Sequence, residues 1–176
     1  MEYKIRLEEE KDFREVEELT REAFWNLYVP GCDEHYLVHK MRSHPDFIKD
    51  LAFVAELDGK IVANIMYTKA ALIDELGREL EIATFGPLCV HPSCQRQGLG
   101  GALIGHTKKI LIAKGIKAIV ILGDSHNYCK HGFKSASDYG ISDADGGFPS
   151  GMLALELEEK RSQAMLGNIS IAMSIF

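Results

Sequence analysis

The most informative segment of the sequence is VHPSCQRQGLGG, residues 90–101. It joins an apolar segment that ends at Val90 to a segment with helical periodicity. Gly98, Gly100 and Gly101 leave the backbone bare where this helix is expected to begin. The first N–H groups of a helix have no partner within the helix, and they lie at the positive end of its dipole. We therefore predict a binding site for an anion such as phosphate at this turn.

Two other interpretations of these glycines are open at this point. Glycine pairs are common in tight strand-to-helix connections that bind no ligand. A dinucleotide-binding turn has the pattern G-x-G-x-x-G directly after a strand. Here the third glycine position is Leu103, and the glycines begin well beyond Val90. Asp124 stands where a ribose-binding acid would, but the pattern as a whole disfavours a dinucleotide.

Strand and helix patterns alternate on both sides of the turn. Upstream, we predict a strand at 3–7, helices at 10–25 and 33–43, and strands at 51–57, 60–73 and 79–90. Downstream, we predict a helix at 98–114, a strand at 117–122, a short helix at 126–131 and strands at 151–157 and 168–175. The strand–helix–strand order over 82–122 is a crossover, which makes its two strands parallel. This order predicts a mixed α/β sheet with helices on both faces.

Length and charge limit the class of protein. The chain has 176 residues, 26% of them charged, and a net charge of −6. Its length fits one domain over residues 1–176. The acidic balance argues against a nucleic-acid partner bound through a basic face. No apolar run is long enough to span a bilayer and the N-terminus has no signal-peptide core, so we expect no membrane partner and a cytoplasmic location.

The turn and two further segments together resemble the GNAT superfamily of acyl-CoA-dependent N-acetyltransferases. QRQGLG at 95–100 matches the family motif Q/R-x-x-G-x-G/A. GPLCVHP at 86–92 is similar to the family's fourth strand and its exit, and YCKHGF at 128–133 is similar to the Y-x-x-x-G-F segment after the fifth strand. The three segments occur in the family's order, and the order of elements resembles the family over essentially the whole chain.

The resemblance implies a fold and a co-substrate. The fold is α/β (α+β), with a mixed, mostly antiparallel sheet of about six or seven strands whose central parallel pair splays into a V-shaped cleft. The co-substrate is acetyl-CoA. Its pyrophosphate would rest on Gln95, Arg96, Gln97, Gly98, Leu99, Gly100 and Gly101. Its pantetheine arm would pair as an added strand with Leu88, Cys89 and Val90, and the Val90 N–H would donate to the thioester carbonyl.

The resemblance also implies direct transfer of the acetyl group to a primary amine, with Tyr128 beside the departing sulfur. Protonation of a thiolate of ordinary pKa about 8.5 by a tyrosine of ordinary pKa about 10 is uphill by about 2 kcal/mol. We therefore favour Tyr128 as a hydrogen-bond donor, with packing beside Phe133 as the alternative role. The general base stays open among His126, His35, Glu34, Glu56 and a water chain.

Several other hypotheses remain beside this one. The same fold can bind acyl-CoA as a sensor without turnover. The pairs His91-x-x-Cys94 and His126-x-x-Cys129 have zinc-ligand residue types, but they lie inside segments already explained, so we expect no metal. Cys94 precedes a helix N-terminus and is an alternative acyl-carrying nucleophile, which direct transfer does not need. The amine acceptor is not identified, and the C-terminal strand leaves a homodimer open.

Overall fold

The computed structural model describes residues 2–157 and 169–172. These residues fall into two units, which are described separately. Unit 1 comprises Met1–Tyr67 and Gly86–Thr107, and unit 2 comprises Thr68–Phe85 and Lys108–Phe176. The single domain over residues 1–176 stays a prediction, as does the splayed cleft.

The elements follow one another as the sequence patterns indicate. The helices are α1 (Phe13–Phe24), α2 (Glu34–Met41), α3 (Leu99–Ala113) and α4 (Ser125–Tyr128). The strands are β1 (Lys4–Leu7), β2 (Phe53–Leu57), β3 (Lys60–Ile65), β4 (Tyr67–Ile73), β5 (Glu79–Phe85), β6 (Cys89–Val90), β7 (Ala118–Leu122), β8 (Lys134–Ser135), β9 (Ile141–Ser142), β10 (Met152–Glu156) and β11 (Ile169–Ala172). The two-residue strands β8 and β9 had no sequence signal.

Unit 1 contains an antiparallel sheet in the order β1-β2-β3-β6. Asp58 and Gly59 join β2 to β3 with φ values of 50° and 76°, which a tight hairpin turn requires. Helix α1 packs on β3 and β6 and buries Val16 and Leu19. The Arg42 guanidinium donates to the Glu17 carboxylate at 2.6 Å and to the Glu8 carboxylate at 2.8 Å. These hydrogen bonds join the end of α2 to α1 and to the segment that follows β1.

Unit 2 contains a mixed sheet in the order β8-β10-β7-β5-β4-β11-β9. As predicted, β5 and β7 run parallel, with Ala83 opposite Ile119. The first four residues of β7 are all buried, because this strand is covered on both faces. The hydrophobic core of unit 2 includes Leu72, Ile82, Val120, Met152 and Ile171.

Two long predicted strands are each interrupted in the structure. The predicted strand 60–73 forms β3 and β4, and the predicted strand 79–90 forms β5 and β6. The apolar pattern continues through the break at Met66 and gives no sign of it. At the second break, Gly86-Pro87 is a turn signal, and Pro87 has no N–H for a ladder. Of the predicted strand 168–175, the part Ile169–Ala172 pairs with β4 and β9, and the rest lies outside the described residues.

Among the residues that the structure describes, none of the helices combines the length and the apolar character that crossing a bilayer demands.

Candidate functional site

The glycine turn, defined as Gln95–Gly101, leads from a short 3-10 turn into α3. Arg96 and Gly98 have φ values of 58° and 88°, in the left-handed region that favours glycine. A Cβ on Gly98 would meet no atom within 4 Å, so the backbone conformation alone selects glycine there. The Ala102 N–H donates to the Gly98 carbonyl at 2.9 Å and fixes the start of the helix.

The glycine turn presents its backbone to solvent. Gln95, Arg96, Gln97 and Gly98 are exposed, whereas Leu99 is buried and anchors the first turn of α3. The backbone N–H groups that begin α3 have no carbonyl partner within the helix. An exposed helix N-terminus with bare glycines has the features that phosphate binding requires.

Glutamine side chains brace the turn against the segment before it. The Gln95 Nε2 group donates to the Val90 carbonyl at 3.2 Å, and Gln97 Nε2 donates to the Ser93 carbonyl at 3.1 Å. Both side chains therefore fold back onto the backbone of residues 90–93. The side chain of Arg96 is exposed, and its contact with a phosphate stays a prediction.

Strand β6 directs part of its backbone away from its sheet. Ala63 lies opposite Val90, and the His91 N–H donates to the Val62 carbonyl at 2.8 Å. Neighbouring residues of an antiparallel strand point their N–H and C=O groups to opposite sides. The N–H and C=O groups of Cys89 therefore point toward β3, and those of Val90 point away from β3. Because β6 is the edge strand of this sheet and the Val90 C=O already accepts from Gln95, the Val90 N–H is the group on this side that suits an added extended segment.

Gly100 brings the start of α3 close to β6 within unit 1. A Cβ on Gly100 would lie 3.6 Å from Leu88 Cδ2 and 3.8 Å from Val90 Cγ2. These are ordinary contact distances, so alanine fits at this position and a longer side chain would run into β6. The residues predicted for the pyrophosphate and for the pantetheine arm are thus neighbours in space.

Two cysteines near the site have buried side chains. The Cys89 Sγ lies 3.5 Å from Thr20 Oγ1, and burial raises the pKa of the Cys89 thiol to about 11. Cys94 is also buried, with 7% of its surface exposed. Burial shields the Cys94 sulfur from an approaching thioester. This burial favours direct transfer over an acyl-cysteine intermediate.

Tyr128 lies at the end of α4 in an aromatic cluster, defined as Phe85, Tyr128 and Phe133. The Tyr128 ring centroid is 5.8 Å from that of Phe85 and 5.7 Å from that of Phe133. Tyr128 is half-buried, whereas Phe133 is 2% exposed. The ring therefore packs beside Phe133, as the alternative role required, and this packing also holds the ring in place.

The N-terminus of α4 is capped by Asp124. Its carboxylate accepts from the His126 N–H and from the His126 ring, each at 2.9 Å, and these hydrogen bonds hold the pKa of Asp124 below its ordinary value. On the sequence alone, Asp124 is a candidate only for a ribose-binding acid, and this cap is not predicted. The signal was an Asp directly before a short helix.

The candidate bases lie in different surroundings. His126 is exposed beside Asp124, and Glu56 accepts from Arg6 at 2.8 Å. Glu34 accepts from the Cys32 thiol at 3.2 Å, and His35 Nδ1 is buried without a hydrogen-bond partner among the described residues. None of these contacts identifies a proton acceptor for the amine, so the base stays unassigned.

The two H-x-x-C pairs have separate surroundings. In unit 1, His91 contacts Ser93 at 2.7 Å and Glu22 at 3.2 Å. In unit 2, His126 contacts Asp124. Within residues 2–157 and 169–172, no three side chains of the metal-ligating types form a group that could hold an ion.

Sequence comparisons identify related proteins. The family described as Acetyltransferase (GNAT) domain matches residues 49–135. The chain is 31% identical over 100 residues to the uncharacterized N-acetyltransferase YjhQ of Escherichia coli K12. The matched stretch covers 57% of this chain and 51% of that protein. The chain thus spans about half the length of YjhQ. It is also 31% identical over 123 residues to the acetyltransferase plu1384 of Photorhabdus laumondii, covering 70% of this chain and 76% of that protein.

A solved structure has the same fold. The crystal structure of the GNAT family N-acetyltransferase YhbS from Escherichia coli, in complex with CoA, superposes with a TM-score of 0.80 at 24% identity. The match covers 97% of this chain and 89% of that one. This likeness confirms the predicted α/β class. From the family match and the plu1384 relative, the chain belongs to the GNAT superfamily of N-acetyltransferases.

Proposed function

We propose that this chain is an acyltransferase that moves the acetyl group of acetyl-CoA to a primary amine by direct attack on the thioester. The observation that carries the proposal is the edge of β6 beside the glycine turn, both in unit 1. The Val90 backbone points away from its sheet, and a Cβ on Gly100 would contact Leu88 and Val90. An extended arm that ends in a pyrophosphate matches this pairing of a strand edge with a helix N-terminus. The YhbS complex with CoA supports the choice of co-substrate.

Each predicted binding residue has a task in this proposal. Gln95–Gly101 bind the pyrophosphate through the backbone, and Arg96 adds a charged contact. Val90, with Leu88 on the same side of the strand, pairs with the pantetheine arm. Cys89 directs its backbone to β3, so its task is to hold the strand in register.

The chemical step is nucleophilic acyl substitution. The amine nitrogen bonds to the thioester carbonyl carbon, the C–S bond breaks, and the electron pair leaves on sulfur. The Val90 N–H stabilises the negative charge that grows on the carbonyl oxygen. Tyr128 donates a hydrogen bond to the sulfur, and the ammonium formed by the attack supplies the proton that the thiolate finally takes up. The products are an N-acetylated amine and CoA.

The proposal treats residues 1–176 as one GNAT-type domain of a cytoplasmic enzyme. A homodimer is a further prediction. The described part of the C-terminal strand, β11, does not offer a free edge for pairing with a second copy. Both edges of β11 are already paired within the chain, to β4 on one side and β9 on the other. Light scattering of the purified protein measures the oligomeric state directly.

Release of free thiol from acetyl-CoA tests the proposed activity. The purified chain is mixed with acetyl-CoA and a panel of primary amines: small amines, amino acids, aminoglycosides and lysine-containing peptides. We expect amine-dependent thiol release with at least one class. Calorimetric binding of CoA without thiol release on any member of the panel would overturn the enzyme proposal in favour of an acyl-CoA sensor.

Tyr128→Phe tests the assigned role of the hydroxyl group. Loss of a donor to the leaving group should lower kcat by about 10- to 100-fold. The affinity for CoA should stay within about twofold of wild type, because phenylalanine keeps the ring and its packing. Full activity of this variant would remove Tyr128 from the mechanism and leave the binding proposal intact.

A further inference from the structure

Gly123, directly after β7, lies against the ring of Tyr128 in unit 2. A Cβ on Gly123 would lie 2.6 Å from Tyr128 Cε2 and 3.0 Å from Cδ2. Atoms at such distances overlap, so no side chain fits at position 123 while the ring keeps its place. The Gly123 N–H donates to the Gly151 carbonyl at 2.8 Å, which fixes the backbone on this side of the ring.

The ring is also confined by its other neighbours. Phe85 and Phe133 contact it at centroid distances of 5.8 and 5.7 Å, and they contact each other at 6.1 Å. Both phenylalanines are buried. The backbone that carries Tyr128 belongs to α4, which Asp124 caps. A ring displaced from Gly123 toward Phe85 or Phe133 would therefore disturb packed side chains.

We infer that Gly123 is a positioning residue for Tyr128: the missing side chain lets the Cδ2–Cε2 edge of the tyrosine ring approach the backbone at the end of β7 and so sets the place of its hydroxyl group. This inference rests on the proposed function of Tyr128. A methyl group at position 123 tilts or shifts the ring, and the displacement is passed on to the hydroxyl oxygen at its far end.

Gly123→Ala tests the inference kinetically. A displacement of about 1 Å at a reacting group costs up to about 100-fold in rate, so we expect kcat to fall by about 10- to 100-fold. The KM for acetyl-CoA and the affinity for CoA should stay within about twofold. The matched control is Gly105→Ala, whose Cβ would meet no atom within 4 Å and which lies outside the residues that hold the ring. This control should keep the wild-type kcat.

A double-mutant cycle separates positioning from general damage. In the Tyr128→Phe background the hydroxyl is absent, so Gly123→Ala should cause no further fall in kcat. Independent, multiplicative losses from the two substitutions would overturn the inference, and so would wild-type kcat in Gly123→Ala while Tyr128→Phe is impaired. If Tyr128→Phe is itself fully active, the proposed role of Tyr128 has failed, and the kinetic form of the inference fails with it.

A stability cycle tests the contact without reference to activity. Gly123→Ala should lower the Tm of the wild-type chain, but it should leave the Tm unchanged in the Tyr128→Leu background, where there is no ring to displace. Should Gly123→Ala alone fail to fold, the double variant with Tyr128→Leu should still fold. An equal loss of Tm in both backgrounds would show that the ring is not what excludes a side chain at position 123.

Discussion

The glycine turn in unit 1 and the aromatic cluster in unit 2 supply different kinds of chemistry from different parts of the chain. The turn offers backbone groups: the first N–H groups of α3 and, nearby, the outward face of Val90. The cluster offers one hydroxyl-bearing side chain, which is held by Phe85, Phe133 and Gly123. Substitutions at the turn should therefore act through backbone conformation and access to the anion, whereas substitutions at the cluster should act through the position of a ring.

The largest effect is expected where a side chain would block the backbone site. Gly100→Glu places a long acidic side chain against Leu88 and Val90, and its charge meets the pyrophosphate. Like charges in contact cost several kcal/mol, so the affinity for CoA should fall by more than about 100-fold. Isothermal titration calorimetry with CoA measures this loss.

Gly100→Ala is the matched control for this substitution. Its methyl group would lie at ordinary contact distances of 3.6 and 3.8 Å from the two side chains of the β6 segment. We expect CoA affinity close to wild type, which is consistent with the family motif allowing Gly or Ala at this position. Unchanged affinity in Gly100→Glu would show that the pyrophosphate binds elsewhere.

A smaller effect is expected where only the backbone conformation is at stake. Gly98 has φ +88° with open space around it, so Gly98→Ala introduces conformational strain without a steric clash. We expect a loss of about 1 kcal/mol in the free energy of unfolding and a severalfold loss of CoA affinity. Urea denaturation and calorimetry measure the two quantities.

Gly105→Ala should have the opposite sign. Gly105 lies in the interior of α3 and has no positive φ, and a methyl group on its Cα would meet no atom within 4 Å. Alanine there should stabilise the chain by up to about 1 kcal/mol, because glycine is the poorer helix former. If Gly98→Ala and Gly105→Ala both lower the free energy of unfolding, the requirement for glycine at position 98 does not come from its positive φ.

The same contrast explains what could be predicted from the sequence. The glycine turn was predictable because a helix N-terminus and bare glycines are local features of residues 95–101. The outward direction of the Val90 backbone was implied only by the family resemblance, since it depends on the register with β3. The break at Met66 was not predictable, because apolar side chains continue through it, whereas the Gly86-Pro87 dipeptide is a turn signal that could have indicated the break at residues 86–88.

The aromatic cluster was harder to predict than the turn. Tyr128 and Phe133 were recognised from the family segment, but Phe85 comes from a strand far away in sequence. Gly123 had no sequence signal either, because its meaning depends on where the ring of Tyr128 lies. Packing fixes the contacts between residues that are distant in sequence, and a local sequence pattern does not predict packing.

The smallest effect is expected at the cap of the helix that carries Tyr128. Asp124→Ala removes the acceptor for the His126 N–H and loosens α4, so kcat should fall by about two- to threefold. Asp124→Asn keeps an N-cap oxygen, so its kcat should stay close to that of the wild type. The His126 hydrogen bonds lower the pKa of Asp124, so the cap stabilises the fold above the ordinary carboxyl pKa and is lost as the pH falls through the lowered pKa. The difference in Tm between wild type and Asp124→Ala should therefore narrow on acidification, and a difference that stays constant with pH would show that the carboxylate does not act as the cap.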